Sequence, residues 1–326
     1  MFGATRHTRV VGVLAGYLAD VVLGDPRAGH PVAGFGAAAS AAERLTYRDN
    51  RIGGAVHVGV LVGTVGLLGA VVQRQAHRGG PLWSVAATAA ATWTALGGTT
   101  LARTGLAMAD LLARDDVESA RRLLPSLCGR DPARLDAAGL TRATVESVAE
   151  NTSDAHVAPL LWAAVGGVPA VLGCRAVNTL DSMVGHRSPR YARFGCAAAR
   201  LDDAANYVAA RVTATLVAVC APIVGGSPSG AIRAWRHDAD RHPSPNAGVV
   251  EAAFAGALGV RLGGPTHYHY ELQIRPVLGD GPPPSAADLR RAVLLSQTVQ
   301  AATAVLVALS AAVRSGGRVS PRRSPA

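Results

Sequence analysis

The chain has 326 residues, 49% of them hydrophobic and only 17% charged, with a mean hydropathy of +0.23, which leans towards an integral membrane protein over a soluble domain. Its net charge of +10 comes from arginine alone, as there is no lysine, and suits phosphate-bearing ligands or anionic lipid headgroups. The arginines never gather into a basic stripe with aromatics, which argues against nucleic acid, and the four cysteines form no CxxC pair, which argues against a zinc knuckle or redox dithiol.

In chain order, Val10 to Leu23 reads as a first membrane helix ending in the LGDP of Leu23 to Pro26, with Pro26 as its stop. Ala37 to Leu45 suits a short surface helix. Ile52 to Val72 is the cleanest spanning segment, since 21 residues at about 1.5 Å each cover a hydrocarbon core. Leu82 to Ala102 is a second, rich in small residues that permit close packing. Arg103 to Asn151 is polar and helical in pieces, with a turn at Gly129 to Pro132 and a helix over Leu140 to Glu150. Val157 to Val177 is apolar but broken by Gly166-Gly167-Val168-Pro169. Ala204 to Val224 and Ala292 to Val313 are further spans, separated by a polar loop over Gly225 to Leu289. Arg314 to Ala326 is Arg/Ser/Pro-rich and expected to be disordered. The fold class expected is therefore all-α: a polytopic membrane protein of four to six segments, in one domain over residues 1–313.

Charge crowds around the broken segment. Glu146, Glu150, Asp154, Asp181, Asp202 and Asp203 flank it, together with Asn151 and Asn178, and ionisable groups beside membrane-depth sequence suggest a functional site. Glu146 and Glu150 could share a Mg²⁺, a hard cation that takes carboxylate oxygens, or Glu146 could simply pair with Arg142 one turn away. Asp202 and Asp203 could bind metal or cap the helix that follows. His242 could act as a base or lie exposed. Gly259, Gly263 and Gly264 with Arg261 could bring backbone amides to a phosphate. If Val157 to Val177 crosses the membrane once, Asp154 and Asp181 end on opposite faces. Two short limbs joined at the Gly-Gly-Val-Pro turn would bring them together instead.

LGDP, GRD (Gly129 to Asp131), ATVESVAENTSD, NTLDSMVGH, RLDDAANYVAAR, HPSPNAG and EAAFAGALGVRLGGP occur in the order seen in the adenosylcobinamide-phosphate synthase (CobD/CbiB) family, which the chain resembles from about Leu23 to Leu309. His186 departs from the Tyr found after MVG in many members. The resemblance implies a multi-pass cell-membrane enzyme of cobalamin biosynthesis. It would join (R)-1-aminopropan-2-ol or its O-phosphate to a propionate carboxyl of adenosylcobyric acid, with ATP as co-substrate and Mg²⁺ as cofactor. Other late corrinoid-pathway enzymes and the lipid bilayer are the expected partners, with no nucleic acid. On that basis Glu146, Glu150, Asp181 and His242 are the candidate catalytic residues and Asp154, Asp202 and Asp203 the candidate metal ligands. Asn151, Asn178, Arg187, Arg200, Arg211, Asn246 and Arg261 are the candidates for substrate or phosphate binding. A polytopic transporter and a non-catalytic scaffold for corrinoid enzymes are the competing classes.

Overall fold

The computed structural model describes residues 2–25, 29–186, 188–267 and 272–315, and the chain is 79% helical. Helix α1 (Phe2–Leu23) packs along α4 (Pro81–Ala95), where Gly12 and Gly16 meet Thr88 and Thr92 so closely that a Cβ on either glycine would overlap the threonine. Between them in sequence come α2 (Pro31–Thr46), capped by His30 with Pro31 at its first position, and α3 (Arg51–Arg78). Pro26, the expected stop of the first helix, lies outside the described residues.

Leu82 to Ala102, expected as one span, is two helices. α4 ends at Ala95, and α5 (Gly98–Ala113) begins after Gly97. Two glycines weaken a helix here, and the buried Asp20 carboxylate supplies the cap that a new N-terminus needs, accepting from the Thr99 amide at 3.2 Å. α6 (Val117–Leu123) and α7 (Ala137–Thr152) follow.

The apolar stretch after α7 also divides. α8 (Ala158–Gly166) and α9 (Val168–Leu180) turn on Gly167, whose φ of 69° and ψ of −147° belong to glycine alone. A side chain there would also strike Gln73, whose Oε1 takes the Val168 amide at 3.0 Å. α8 and α9 pack on each other, and each is flanked on its far side by one π-helical turn, Ser153–Val157 before α8 and Asp181–Gly185 after α9. Both π turns pack against α10 (Cys196–Cys220).

The expected loop from Gly225 to Leu289 is instead α11 (Pro228–Asp238), α12 (Ala247–Leu258) and an antiparallel hairpin of β1 (Leu262–His267) and β2 (Leu272–Leu278). α12 was hidden by its brevity: at 12 residues it is apolar throughout except Glu251, too short to read as a span. α13 (Ala286–Ser315) closes the fold against α5 and α7, while residues 316–326 of the expected tail lie outside the described residues.

Among the described residues three helices are long and apolar enough to cross a membrane: Arg51–Arg78, Cys196–Val224 and Ala286–Ser310. α3 carries Leu67 at 71% and Leu68 at 60% exposure on its outer face. Bare leucines in such density on one helix suit lipid rather than water.

Candidate functional site

Seven of the expected site residues meet at one cavity of about 580 Å³. Its acidic wall holds Glu150 from the last turn of α7, Asp154 and Asp181 from the two π turns, and Asp202 and Asp203 from α10. The folded-back α8–α9 pair is what unites Asp154 with Asp181, 27 positions apart in sequence. π turns are rare and frequent at functional sites, because the extra residue rotates side chains out of the helical register. The second π turn explains a glycine of the NTLDSMVG motif, for a Cβ on Gly185 would collide with the Asp181 carboxylate.

The second wall is His242 to Ala247, leading into α12, together with Gln273 to Pro276 of β2. Asn246 ties the walls together. Its amide donates to the Asp203 carbonyl at 2.9 Å, and its carbonyl accepts from Arg211 at 2.8 Å. Arg211 in turn lies over the Tyr207 ring, 3.6 Å from its centre. Both polar ends of Asn246 are thus engaged within the protein, and the Arg211–Asn246 pair acts as a strut at the cavity edge.

The acids are crowded. Burial, then the charges of Asp202, Glu150 and Asp181, push the Asp154 carboxyl well above the usual carboxylate range. Burial, then Asp202, Glu150 and Asp203, push Asp181 up to about 7. Asp202 is met by two amides, Asn206 at 2.9 Å and Asn178. Carboxylates held together against their mutual repulsion call for a cation. The donor set, oxygen only, fits Mg²⁺, which binds through one or two carboxylates and keeps several waters. Among the described residues no three ligating side chains converge on one point.

Other expected site residues lie elsewhere. Glu146, a candidate catalyst, is buried behind the cavity in a salt bridge with Arg130, with Arg142 at 3.9 Å and the Gly263 amide donating to it at 2.7 Å. Burial alone would raise its pKa, but Arg130, the Gly263 amide and Arg142 outweigh it and hold the carboxyl low. That amide comes from the bulge in β1, so Gly263 serves Glu146 and is not open to a phosphate. Arg261 is exposed away from the cavity and Arg200 is exposed on α10. Asn151 donates back to the Ser147 carbonyl at 2.9 Å. Arg187 lies outside the described residues.

His242 lines the cavity, with the Ser244 amide donating to its Nδ1 at 3.1 Å and Arg275 3.4 Å from its Nε2. Burial, then the Arg275 charge, lower its pKa to about 4, so the ring is neutral at physiological pH. Arg275, Gln273, His186 and the buried Glu251 were not legible as site residues. The first two lie in a strand that shows no motif, although a lone carboxylate in an otherwise apolar α12 was a usable signal for Glu251.

The family model described as CobD/Cbib protein matches residues 13–296 of the chain. Three curated proteins, each named cobalamin biosynthesis protein CobD, illustrate the range of similarity. That of Mycobacterium tuberculosis is 72% identical over 95% of this chain and 98% of its own length. Those of Geobacter metallireducens and Rhodobacter capsulatus are 43% and 38% identical, over 82% and 90% of this chain and 86% and 94% of theirs. No solved structure matches.

Proposed function

The chain belongs to the CobD/CbiB family of cobalamin biosynthesis, and we propose that it is the amide synthase that joins (R)-1-aminopropan-2-ol or its O-phosphate to the propionate carboxyl of adenosylcobyric acid. The observation that carries the proposal is the single cavity walled by five carboxylates on one side and by His242 to Ala247 and Arg275 on the other. A carboxylate acylates an amine only after phosphorylation or adenylation, so the reaction needs a nucleotide, a cation to neutralise it and a base near the amine. One or two of Asp154, Asp181, Asp202 and Asp203 would hold Mg²⁺, which when bound would neutralise phosphate charge and aid its departure. Glu150, the acid that stands exposed to the cavity, is placed to take the proton that the amine sheds as the C–N bond forms and phosphate or AMP leaves. His242, pinned at Nδ1 and facing Arg275 at Nε2, holds the second wall rather than moving a proton.

Purified protein in detergent, given adenosylcobyric acid, ATP, Mg²⁺ and either amine, is expected to form adenosylcobinamide or its phosphate, seen by mass. Product that forms equally well without ATP, or no product with either amine, would discard the proposal.

We place the enzyme in the cell membrane as a multi-pass protein, with α3, α10 and α13 spanning and α8–α9 as a re-entrant pair that returns to its own side. The cavity then opens to the cytoplasm, where ATP is found. Cysteines introduced at the cavity as Ala199→Cys and Ala247→Cys are expected to escape an impermeant thiol reagent in intact cells and to react in inverted vesicles. Reaction of both in intact cells would reverse the orientation.

A further inference from the structure

We propose that the end of the fold where α1, α3 and the α8–α9 turn meet holds the phosphodiester headgroup of an anionic phospholipid. The inference rests on the membrane placement given above and not on the amide-forming reaction.

The turn between α8 and α9 lies away from the cavity, since the two π turns stand at the opposite ends of these helices. Two other helices fasten it. Arg9 of α1 donates to the Val165 carbonyl at 2.6 Å, and Gln73 of α3 accepts from the Val168 amide. Pro169 lies so close to Gly69 that a Cβ on the glycine would overlap it. The turn therefore reaches the last turns of α3. At about 1.5 Å per residue, the 28 residues of α3 match a bilayer of about 40–45 Å with its headgroup layers. Its C-terminal turns then lie among headgroups.

The outer face of α3 fits this depth. Val60, Leu67 and Val71 are exposed along one stripe, and Arg74 and Arg78 continue it at three- and four-residue steps. Acyl chains lying along the apolar part bring their headgroups level with the two guanidiniums. Beside them, at the start of α4, Leu82 and Trp83 are 84% and 68% exposed, and tryptophan is enriched at the membrane interface.

Charge selects the kind of lipid. Arg6 and Arg9, whose like charges oppose each other on α1, join Arg74 and Arg78 at this end, and none of the four forms an ion pair. No Asp or Glu occurs in residues 2–19, 50–109 or 155–180, the stretches that build it. Guanidiniums gathered without a carboxylate favour a phosphate, and at this depth the phosphate at hand is that of a lipid.

Native mass spectrometry of the detergent-purified full chain, given palmitoyl-oleoyl phosphatidylglycerol or the matching phosphatidylcholine, tests this. The parent is expected to retain phosphatidylglycerol and to release phosphatidylcholine. Arg74→Gln/Arg78→Gln should weaken that retention by about ten- to thirty-fold, the share of two basic residues beside anionic headgroups. Both side chains are exposed, so without lipid this variant should melt like the parent. Arg233→Gln/Arg236→Gln removes the same charge from the exposed face of α11 and should retain the lipid as the parent does. Equal retention of both lipids by the parent would overturn the proposal, leaving the acyl chains as the sole attraction. Parent-like retention by the α3 variant, or an equal loss in the α11 variant, would overturn it too. So would displacement of the lipid by excess glycerol phosphate, which would make this a site for soluble phosphate. A chain that stays monodisperse without detergent would instead sink the membrane placement, and turnover enters none of these readings.

Discussion

Asp181→Asn is expected to lower amide formation by about 10²- to 10³-fold, the usual loss when one charge-stabilising group leaves a preorganised site. The variant should nevertheless fold, and in chelator it should melt higher than the parent. Burial, then crowding by Asp202, Glu150 and Asp203, raises the pKa of Asp181 from the ordinary carboxylate value to about 7. The folded state therefore holds this proton more tightly than the unfolded chain, and ionisation opposes folding. The penalty is absent below the unfolded pKa near 4, grows as pH rises and is complete above about 7. The asparagine removes it, so the gain in melting temperature should be greater at pH 8 than at pH 5. Added Mg²⁺ should raise the parent's melting temperature and raise the variant's less. Melting curves at both pH values, with and without Mg²⁺, set beside single-turnover rates, check all of this. An Asp181→Asn enzyme of near-parent rate would remove the acid from the machinery.

Much of the site was legible because it depends on local sequence. The acids cluster beside an apolar stretch that carries a Gly-Gly-Val-Pro break, and the choice between a kinked span and two limbs turns on whether Gly167 takes a positive φ, which a glycine can do freely. The π turns were not legible, since a five-residue change of register leaves no period to detect. The hairpin was missed because, among the described residues, β2 pairs with β1 alone and its inward face is polar, so Leu272 to Leu278 reads as loop. Glu146 shows the limit most clearly. At four-residue spacing it is the equal of Glu150 on the helix surface, and what separates them is tertiary: Arg130 and the Gly263 bulge, 16 and 117 positions away.

That separation predicts opposite outcomes for two glutamates one turn apart. Glu150 stands open to the cavity and adds to the repulsion on Asp154 and Asp181, so Glu150→Ala should melt no lower than the parent and lose turnover. Glu146 is 1% exposed, and its loss strips a buried guanidinium of its carboxylate and leaves the Gly263 amide without an acceptor. Breaking one side of a buried pair costs about 3–5 kcal/mol, a large part of the 5–15 kcal/mol by which a typical domain is stable. Glu146→Ala should therefore reach the membrane in reduced amount and melt many degrees lower, with the remaining folded fraction turning over near the parent rate per molecule. Glu146→Gln, which can still accept from Gly263 but no longer neutralises Arg130, should fall between the two. Fluorescence-detected gel filtration across a temperature series measures the folded fraction, and turnover is then normalised to it. A Glu146→Ala protein that melts like the parent yet forms no amide would return Glu146 to the catalytic set, because a carboxylate closed off from the cavity can act on stability alone.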